Sequence, residues 1–267
     1  MKVILLTGVS SGFGRATALA LAAQGHRVYG VSRRTPDPQL SAALAGHIQA
    51  DLTLPQSAQE AAERVLAAEG RMDVLINNAG AGIGGALEEV DPQALEQLFQ
   101  LNFFAMARAC RAVLPAMRSQ GSGLIINFSS LGGVAGLPYQ GAYSATKFAV
   151  EGYTESLFNE VKPFGIHVCM VEPGDFATGF TGSRAMATRP DSPYRAYHEK
   201  ALKRIETDER GGAPAAVLAK KITRIVSARL PRLRYSVGGL GQRILVKSRH
   251  IMGDRLFVWL LGKYYLG

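Results

Sequence analysis

The chain of 267 residues is 47% hydrophobic and 19% charged, which supplies apolar material for a sizeable core and excludes the depleted composition of a disordered chain. Its two cysteines, Cys110 and Cys169, fall in a helical and a strand pattern and imply no disulfide framework, so a reducing, cytoplasmic setting is expected. The net charge of +9 belongs to residues 180–267, which hold 18 Lys/Arg against 6 Asp/Glu, and no zinc-finger, RRM or helix-turn-helix pattern accompanies it to suggest nucleic acid.

The chain begins Met1-Lys2-Val3-Ile4-Leu5-Leu6-Thr7-Gly8, an apolar run too short for a signal peptide and closed by glycine, which reads as a buried first strand over 2–7. Thr7-Gly8-Val9-Ser10-Ser11-Gly12-Phe13-Gly14 then stands where that strand must turn into a helix near 12–24. Glycines at these positions permit tight turning and close backbone approach to a pyrophosphate, while the helix N-terminus offers free N–H groups and the positive end of its dipole. A purely structural turn is the alternative. The second strand, 27–32, ends Ser32-Arg33-Arg34. An NAD site usually carries a carboxylate there, whereas a guanidinium binds the extra phosphate of NADP bidentately. Arg33, assisted by Ser11, therefore points to NADP(H), unless the arginines are simply a solvated pair.

A third strand over 47–51 closes on Asp51-Leu52, where a carboxylate can meet the adenine amino group and an apolar wall its ring, unless Asp51 caps the next helix. The fourth strand, 73–77, runs into Asn77-Asn78-Ala79-Gly80, small residues and amides suited to lining a cofactor. Helices are expected near 55–69 and 92–118, with Pro55 and Pro92 early in each, where a missing N–H costs little. Asn102 falls in the middle of the second, without any propensity to explain it. A strand over 122–128 leads to Ser129-Ser130; Ser130 can polarise a substrate carbonyl or serve only as a turn former. Tyr143 and Lys147 open a helix near 140–162, and their separation of four residues sets both side chains on one face. An ammonium beside a phenol, whose ordinary pKa is about 10, favours the phenolate.

Strands over 165–171 and 233–237 complete seven. The expected fold is α/β, a single Rossmann-type doubly wound parallel sheet of seven strands with helices on both faces, forming one dinucleotide-binding and catalytic domain over 1–267. Two regions break the rhythm. Residues 175–212, polar and punctuated by Pro190, Pro193 and Gly211-Gly212, follow a strand end and are expected to form a mobile substrate lid. The C-terminal extension, 239–267, carries Ile244, Leu245, Val246, Trp259 and Tyr264 among Arg243, Lys247 and Arg255. It is expected to pack on the domain or on a dimer mate, or else to rim an apolar pocket or touch a lipid surface as a peripheral membrane contact. No stretch reaches eighteen uninterrupted apolar residues. The five histidines share no ligand spacing, so no metal is expected.

TGxxxGxG, NNAG, Ser130 with Tyr143 and Lys147, and Pro173-Gly174, in that order over residues 3–178, resemble the short-chain dehydrogenase/reductase family. The resemblance implies that Ser130 orients the substrate oxygen, Tyr143 is the general acid/base, and Lys147 binds the nicotinamide ribose and lowers the tyrosine pKa. It implies further that Asn102 positions a water in a proton relay and Thr178 contacts the nicotinamide carboxamide. Gly8, Ser11, Gly12, Phe13 and Gly14 then belong to the cofactor site, with Arg33, Asp51, Leu52, Asn78, Ala79, Gly80, Pro173 and Gly174. The expected activity is NADP(H)-dependent interconversion of an alcohol and a ketone or aldehyde, similar to members acting on steroids, retinoids and other lipophilic carbonyls. A homodimer or homotetramer is implied as well. An isomerase or dehydratase of the extended branch needs a larger C-terminal domain and another glycine spacing, and a non-catalytic NADP-binding regulator is expected to have lost Ser130, Tyr143 or Lys147.

Overall fold

The computed structural model describes the backbone of residues 1–267 and every side chain except those of Thr181, Leu245, Val246, Lys247 and His250. The part of the amphipathic tail reading that rests on Leu245, Val246 and Lys247 lies outside the described side chains. Strands β1 (Val3–Thr7), β2 (Arg27–Ser32), β3 (Gly46–Gln49), β4 (Val74–Asn77), β5 (Gly123–Phe128), β6 (Ile166–Pro173) and β7 (Arg234–Val237) form one parallel sheet in the order β7-β6-β5-β4-β1-β2-β3. The order reverses between β1 and β4, and ligands of open α/β sheets bind in the crevice outside the carboxyl ends at such a point.

The helices are α1 (Gly12–Ala22), α2 (Pro38–Ala43), α3 (Ser57–Glu69), α4 (Pro92–Phe99), α5 (Ala105–Gln120), α6 (Gly141–Val161), α7 (Phe180–Ser183), α8 (Arg195–Arg210), α9 (Ala215–Ser227), α10 (Leu240–Met252) and α11 (Asp254–Leu266). Side chains alternate across each strand, so neighbours enter opposite cores. Leu5, Leu75 and Ile125 pack with Val65 of α3, Val113 of α5 and Val150 of α6. Ile4, Ile76 and Ile126 pack with Ala18 of α1 and Leu218 and Ile222 of α9. Both faces are covered, and all five residues of β1 are buried, which is why that strand reads as an apolar run rather than an alternation.

Several boundaries differ from expectation. β3 ends at Gln49, so Asp51 lies beyond the strand; its Oδ1 accepts from the Thr53 N–H at 3.0 Å and hydroxyl at 2.8 Å, forming a local turn. That turn delays α3 to Ser57 with Gln56 as its cap, leaving Pro55 outside the helix and Asp51 without the capping role. The helix expected over 92–118 starts as foreseen, with Asp91 accepting from Gln93 and Ala94 ahead of Pro92. It is then widened by a π turn at Gln100–Phe104, centred on Asn102, before α5 resumes.

The region 175–212 is more ordered in its architecture than a loop. Phe176–Ala177 pairs with Ala213–Pro214 and Ala185–Met186 with Ile83–Gly84, and α8 spans 16 residues. Its helical period escapes a hydrophobicity reading because only His198, Ala201 and Ile205 are buried. Pairs Arg195–Glu199, Arg204–Asp208 and Arg210–Glu206 at helical spacing support it, each by a few tenths of a kcal/mol at such exposed positions. The tail forms α10 and α11, and Phe257 and Leu261 of α11 pack with Ala135, Leu137 and Tyr265. Among the described residues, no helix is long and apolar enough to cross a membrane.

Candidate active site

The turn from β1 into α1 is built on backbone geometry that side chains oppose. Gly8 and Gly12 have φ of 75° and 53°, left-handed values that cost a residue with a Cβ. Gly14 serves a different need: a Cβ there would lie 2.1 Å from the carbonyl oxygen of Gly8, so its absence lets the helix seat against the turn. The Thr7 hydroxyl accepts from the Asn78 and Ala79 N–H groups at 3.0 and 3.1 Å, and Asn78 Nδ2 donates to the carbonyls of Thr7 and Gly8. The NNAG segment is thereby tied across the topological switch point.

A cavity of about 990 Å³ opens at these carboxyl ends. It brings together Gly8, Ser11, Gly12 and Phe13 with Asn78, Ala79 and Gly80, Pro173, Gly174 and Thr178, and the reactive trio Ser130, Tyr143 and Lys147. Arg33, Asp51 and Leu52 line its far end. Gly14 and Asn102 do not line it, and they act from behind. The residues fit a dinucleotide: two positive-φ glycines lie on the cavity wall. Ser11 caps α1 without a side-chain hydrogen bond, so the helix N-terminus keeps donors for an anion. At the far end Arg33 and Arg34 are both exposed, and Arg34 Nη2 donates to the Ser10 hydroxyl at 3.5 Å. Ser10 and Arg34 share this wall with Arg33 and Ser11; reading the glycine spacing alone gave Ser10 no role.

Ser130 follows β5, and its Oγ accepts from the Gly132 N–H at 3.0 Å, leaving the hydroxyl proton free to donate. Tyr143 and Lys147 occupy the first turns of α6, with the Lys147 Nζ 5.8 Å from the Tyr143 ring centroid. Lys147, 4% exposed, donates to the Phe128 carbonyl at 2.8 Å. Burial lowers its pKa to about 8, opposed by the Glu151 charge. Burial likewise holds the Tyr143 hydroxyl above its ordinary value, partly offset by the hydrogen bond with Ser130. In the chain by itself the low-dielectric wall, which penalises the phenolate, governs Tyr143, and the charges felt there are those of Arg184 and Glu209 rather than the Lys147 ammonium expected from the sequence.

Asn102, 2% exposed, donates from Nδ2 to the Ala81 carbonyl and the Thr146 hydroxyl, both at 3.0 Å, and accepts from the Ala81 N–H at 2.9 Å. Its side chain pins Ala81, in the loop after NNAG, to the catalytic helix, and the π turn places it there. Sequence patterning missed a buried ladder beneath this floor, in which Asn77 donates to Asn127 at 2.9 Å and Asn127 donates to Thr154 at 3.0 Å. It also missed Asp175, Glu209 and Gln242, which line the cavity from the lid and tail, whereas Leu261 and Tyr265 line it as a tail rimming an apolar pocket would.

Residues 2–188 match the family model described as short chain dehydrogenase. The chain is 46% identical over 266 residues to a 3-ketodihydrosphingosine reductase of Bacteroides thetaiotaomicron, covering 99% of this chain and 98% of that relative. Among solved structures, a short-chain dehydrogenase from Streptomyces avermitilis matches with a TM-score of 0.84 and 38% identity, over 98% of this chain and 97% of the other. A short chain dehydrogenase/reductase from Burkholderia phymatum in complex with NAD matches with a TM-score of 0.80 and 26% identity, over 94% and 93%.

Proposed function

The chain belongs to the short-chain dehydrogenase family and is an oxidoreductase of it, and from that premise we propose that it is an NADP(H)-dependent reductase of lipophilic ketones, with 3-ketodihydrosphingosine as the favoured substrate. One observation carries this reading: a single cavity joins two exposed arginines, the Ser130–Tyr143–Lys147 trio and an apolar wall from the tail formed by Leu261 and Tyr265. A relative 46% identical across the whole chain bears the name of that reductase.

Gly8, Ser11, Gly12 and Phe13 hold the pyrophosphate, Arg33 with Arg34 and Ser10 the extra phosphate, and Lys147 with Asn78, Ala79, Gly80 and Thr178 the nicotinamide half. When bound, NADPH supplies a hydride to the carbonyl carbon. Ser130 donates a hydrogen bond to the carbonyl oxygen, and Tyr143 gives that oxygen its proton as charge develops. Burial keeps the Tyr143 proton in place at neutral pH, the state a reductase needs at the start of its cycle. Asn102 spends both Nδ2 protons on Ala81 and Thr146, so it acts as a positioning residue that holds the segment after NNAG against the catalytic helix.

Cofactor choice is tested by Arg33→Asp. Loss of a charge-assisted contact worth roughly 1.5–3 kcal/mol raises the KM for NADPH by about tenfold or more and leaves that for NADH unchanged or lower. An unaltered NADPH preference in steady-state kinetics places the phosphate elsewhere. Outside the cavity, Ile244, Ile251, Leu256 and Trp259 are exposed beside Arg255 and Lys263, a composition suited to peripheral contact with an anionic lipid surface from which such a ketone enters. Sedimentation with and without anionic vesicles reports that contact, and sedimentation alone reports whether the chain forms the proposed homodimer or homotetramer. Failure to co-sediment removes the lipid contact.

A further inference from the structure

The substrate end of the cavity carries charge for which ketone reduction has no use. Asp175, just past β6, and Glu209, in the last turn of α8, both line the cavity that contains Tyr143. Arg184 does not line it; its side chain, 1% exposed, holds Glu209 Oε1 at 2.5 Å. Glu209 Oε2 is sealed from solvent without a hydrogen-bond partner among the described residues, and so are Nε and Nη1 of the Arg184 guanidinium paired with it, so the second half of that ion pair lies away from the cavity. Asp175 is oriented by Gln242 of α10, whose side-chain amide bonds both its main-chain N–H and its carboxylate. Burial, reinforced by the neighbouring Asp208 and Glu209 charges, raises its carboxyl to about 6. After burial and Ser130, the charges of Arg184 and Glu209 are the next influences felt at the Tyr143 hydroxyl, so this end adjoins the reaction centre.

Asp175 lines the cavity with only the neutral Gln242 amide bonded to its carboxylate and no ion pair among the described residues, and a carboxylate held out of bulk water in this way calls for a donor. A primary ammonium, with three N–H groups and a positive charge, satisfies Asp175 directly, and Glu209 on the lining of the same cavity adds its negative charge. Resting on the ketone-reductase reading above, we propose that Asp175 and Glu209 form a cation subsite beside Tyr143 for a primary ammonium on the carbon next to the reacting ketone. The enzyme thereby selects 2-amino ketones over neutral ketones of the same length. Ile205, Leu137, Leu261 and Tyr265 on the same wall take the start of the apolar chain.

The test compares kcat/KM with NADPH for 3-ketodihydrosphingosine, its N-acetyl derivative and the ketone of equal length lacking the amino group. Wild type, Asp175→Asn and Glu209→Gln are assayed, with thermal melts and NADPH binding to verify folding. Because Glu209→Gln weakens the hold on buried Arg184, Asp175→Asn, which keeps an acceptor for Gln242, is the variant that decides if the other does not fold. Wild type favours the free amine by about tenfold or more, the worth of one charge-assisted contact, and the ratio falls to within about twofold in the variants. Equal wild-type rates on all three ketones, or a preference that survives in Asp175→Asn, overturns the subsite while ketone reduction stands. Failure to reduce any of the three overturns the reductase reading and the subsite together.

Discussion

Replacing Tyr143 by Phe lowers kcat by about 10²–10⁴-fold, the range for removing a positioned general acid, while the Kd for NADPH stays within about twofold. The separation follows from the geometry. Lys147, anchored on the Phe128 carbonyl at 2.8 Å, and the glycine turn remain in place, and the phenyl ring still packs against Phe180, whose centroid lies 5.8 Å away. Only the hydroxyl is lost, and with it the proton that must reach the carbonyl oxygen as charge develops there. Ser130 does not replace it, because a serine hydroxyl is a far weaker acid than a phenol and its role is to orient the oxygen. Turnover within a few-fold of wild type, measured by NADPH absorbance, would falsify the assignment; loss of NADPH binding in parallel shows a structural role instead.

The largest stability effect is expected away from the reaction. Arg234 of β7 lies against the Glu151 and Glu172 carboxylates and reaches Glu155 at 2.7 Å, while Ser236 donates to Glu172 at 2.6 Å. Glu172 is 1% and Glu151 7% exposed, so Arg234→Ala leaves buried carboxylates without their cation. Breaking a buried pair costs roughly 3–5 kcal/mol; about 3 is expected, because the arginine is 34% exposed and water reaches the gap. Burial already raises the Glu151 carboxyl from 4.5 to about 7. Its folded value exceeds its unfolded one, so ionising Glu151 costs stability that is retained below about 4.5 and lost as pH rises through 7. Without Arg234 that cost grows, so the gap in Tm between wild type and variant is wider at pH 8 than at pH 6. A gap independent of pH, followed by calorimetry, assigns the loss to packing of the arginine stem.

The sheet and the reactive trio were legible because each rests on a local rule. Positive-φ glycines, an apolar run for a strand covered on both faces, and a four-residue spacing on one helix all act over a few residues. What was not legible depends on distant partners. Glu151 meets Arg234 across 83 residues, and neither carries a pattern that announces the other. Glu209 reaches the cavity of Tyr143 only because α8 folds over the carboxyl ends, where Gln242 of α10 orients Asp175, and α8 hides its helical period behind a nearly all-polar surface. The local rules also failed where two of them competed: Asp51 had a choice between capping a helix and closing a turn, and the Thr53 hydroxyl decided it. Asn102 stands out for its poor helical propensity, yet the π turn that accommodates it has no signature in the spacing of apolar residues.

In the proposed reaction this cavity passes a hydride from NADPH to a ketone while Tyr143 supplies the proton. That transfer is tested most directly with NADPH carrying deuterium at the transferring position of C4, incubated with 3-ketodihydrosphingosine and the wild-type protein, the product being analysed by mass spectrometry. One deuterium per molecule, bound to the new carbinol carbon, is the predicted result. A reduced product without deuterium at that carbon, or labelled cofactor left unconsumed in the presence of the ketone, contradicts it.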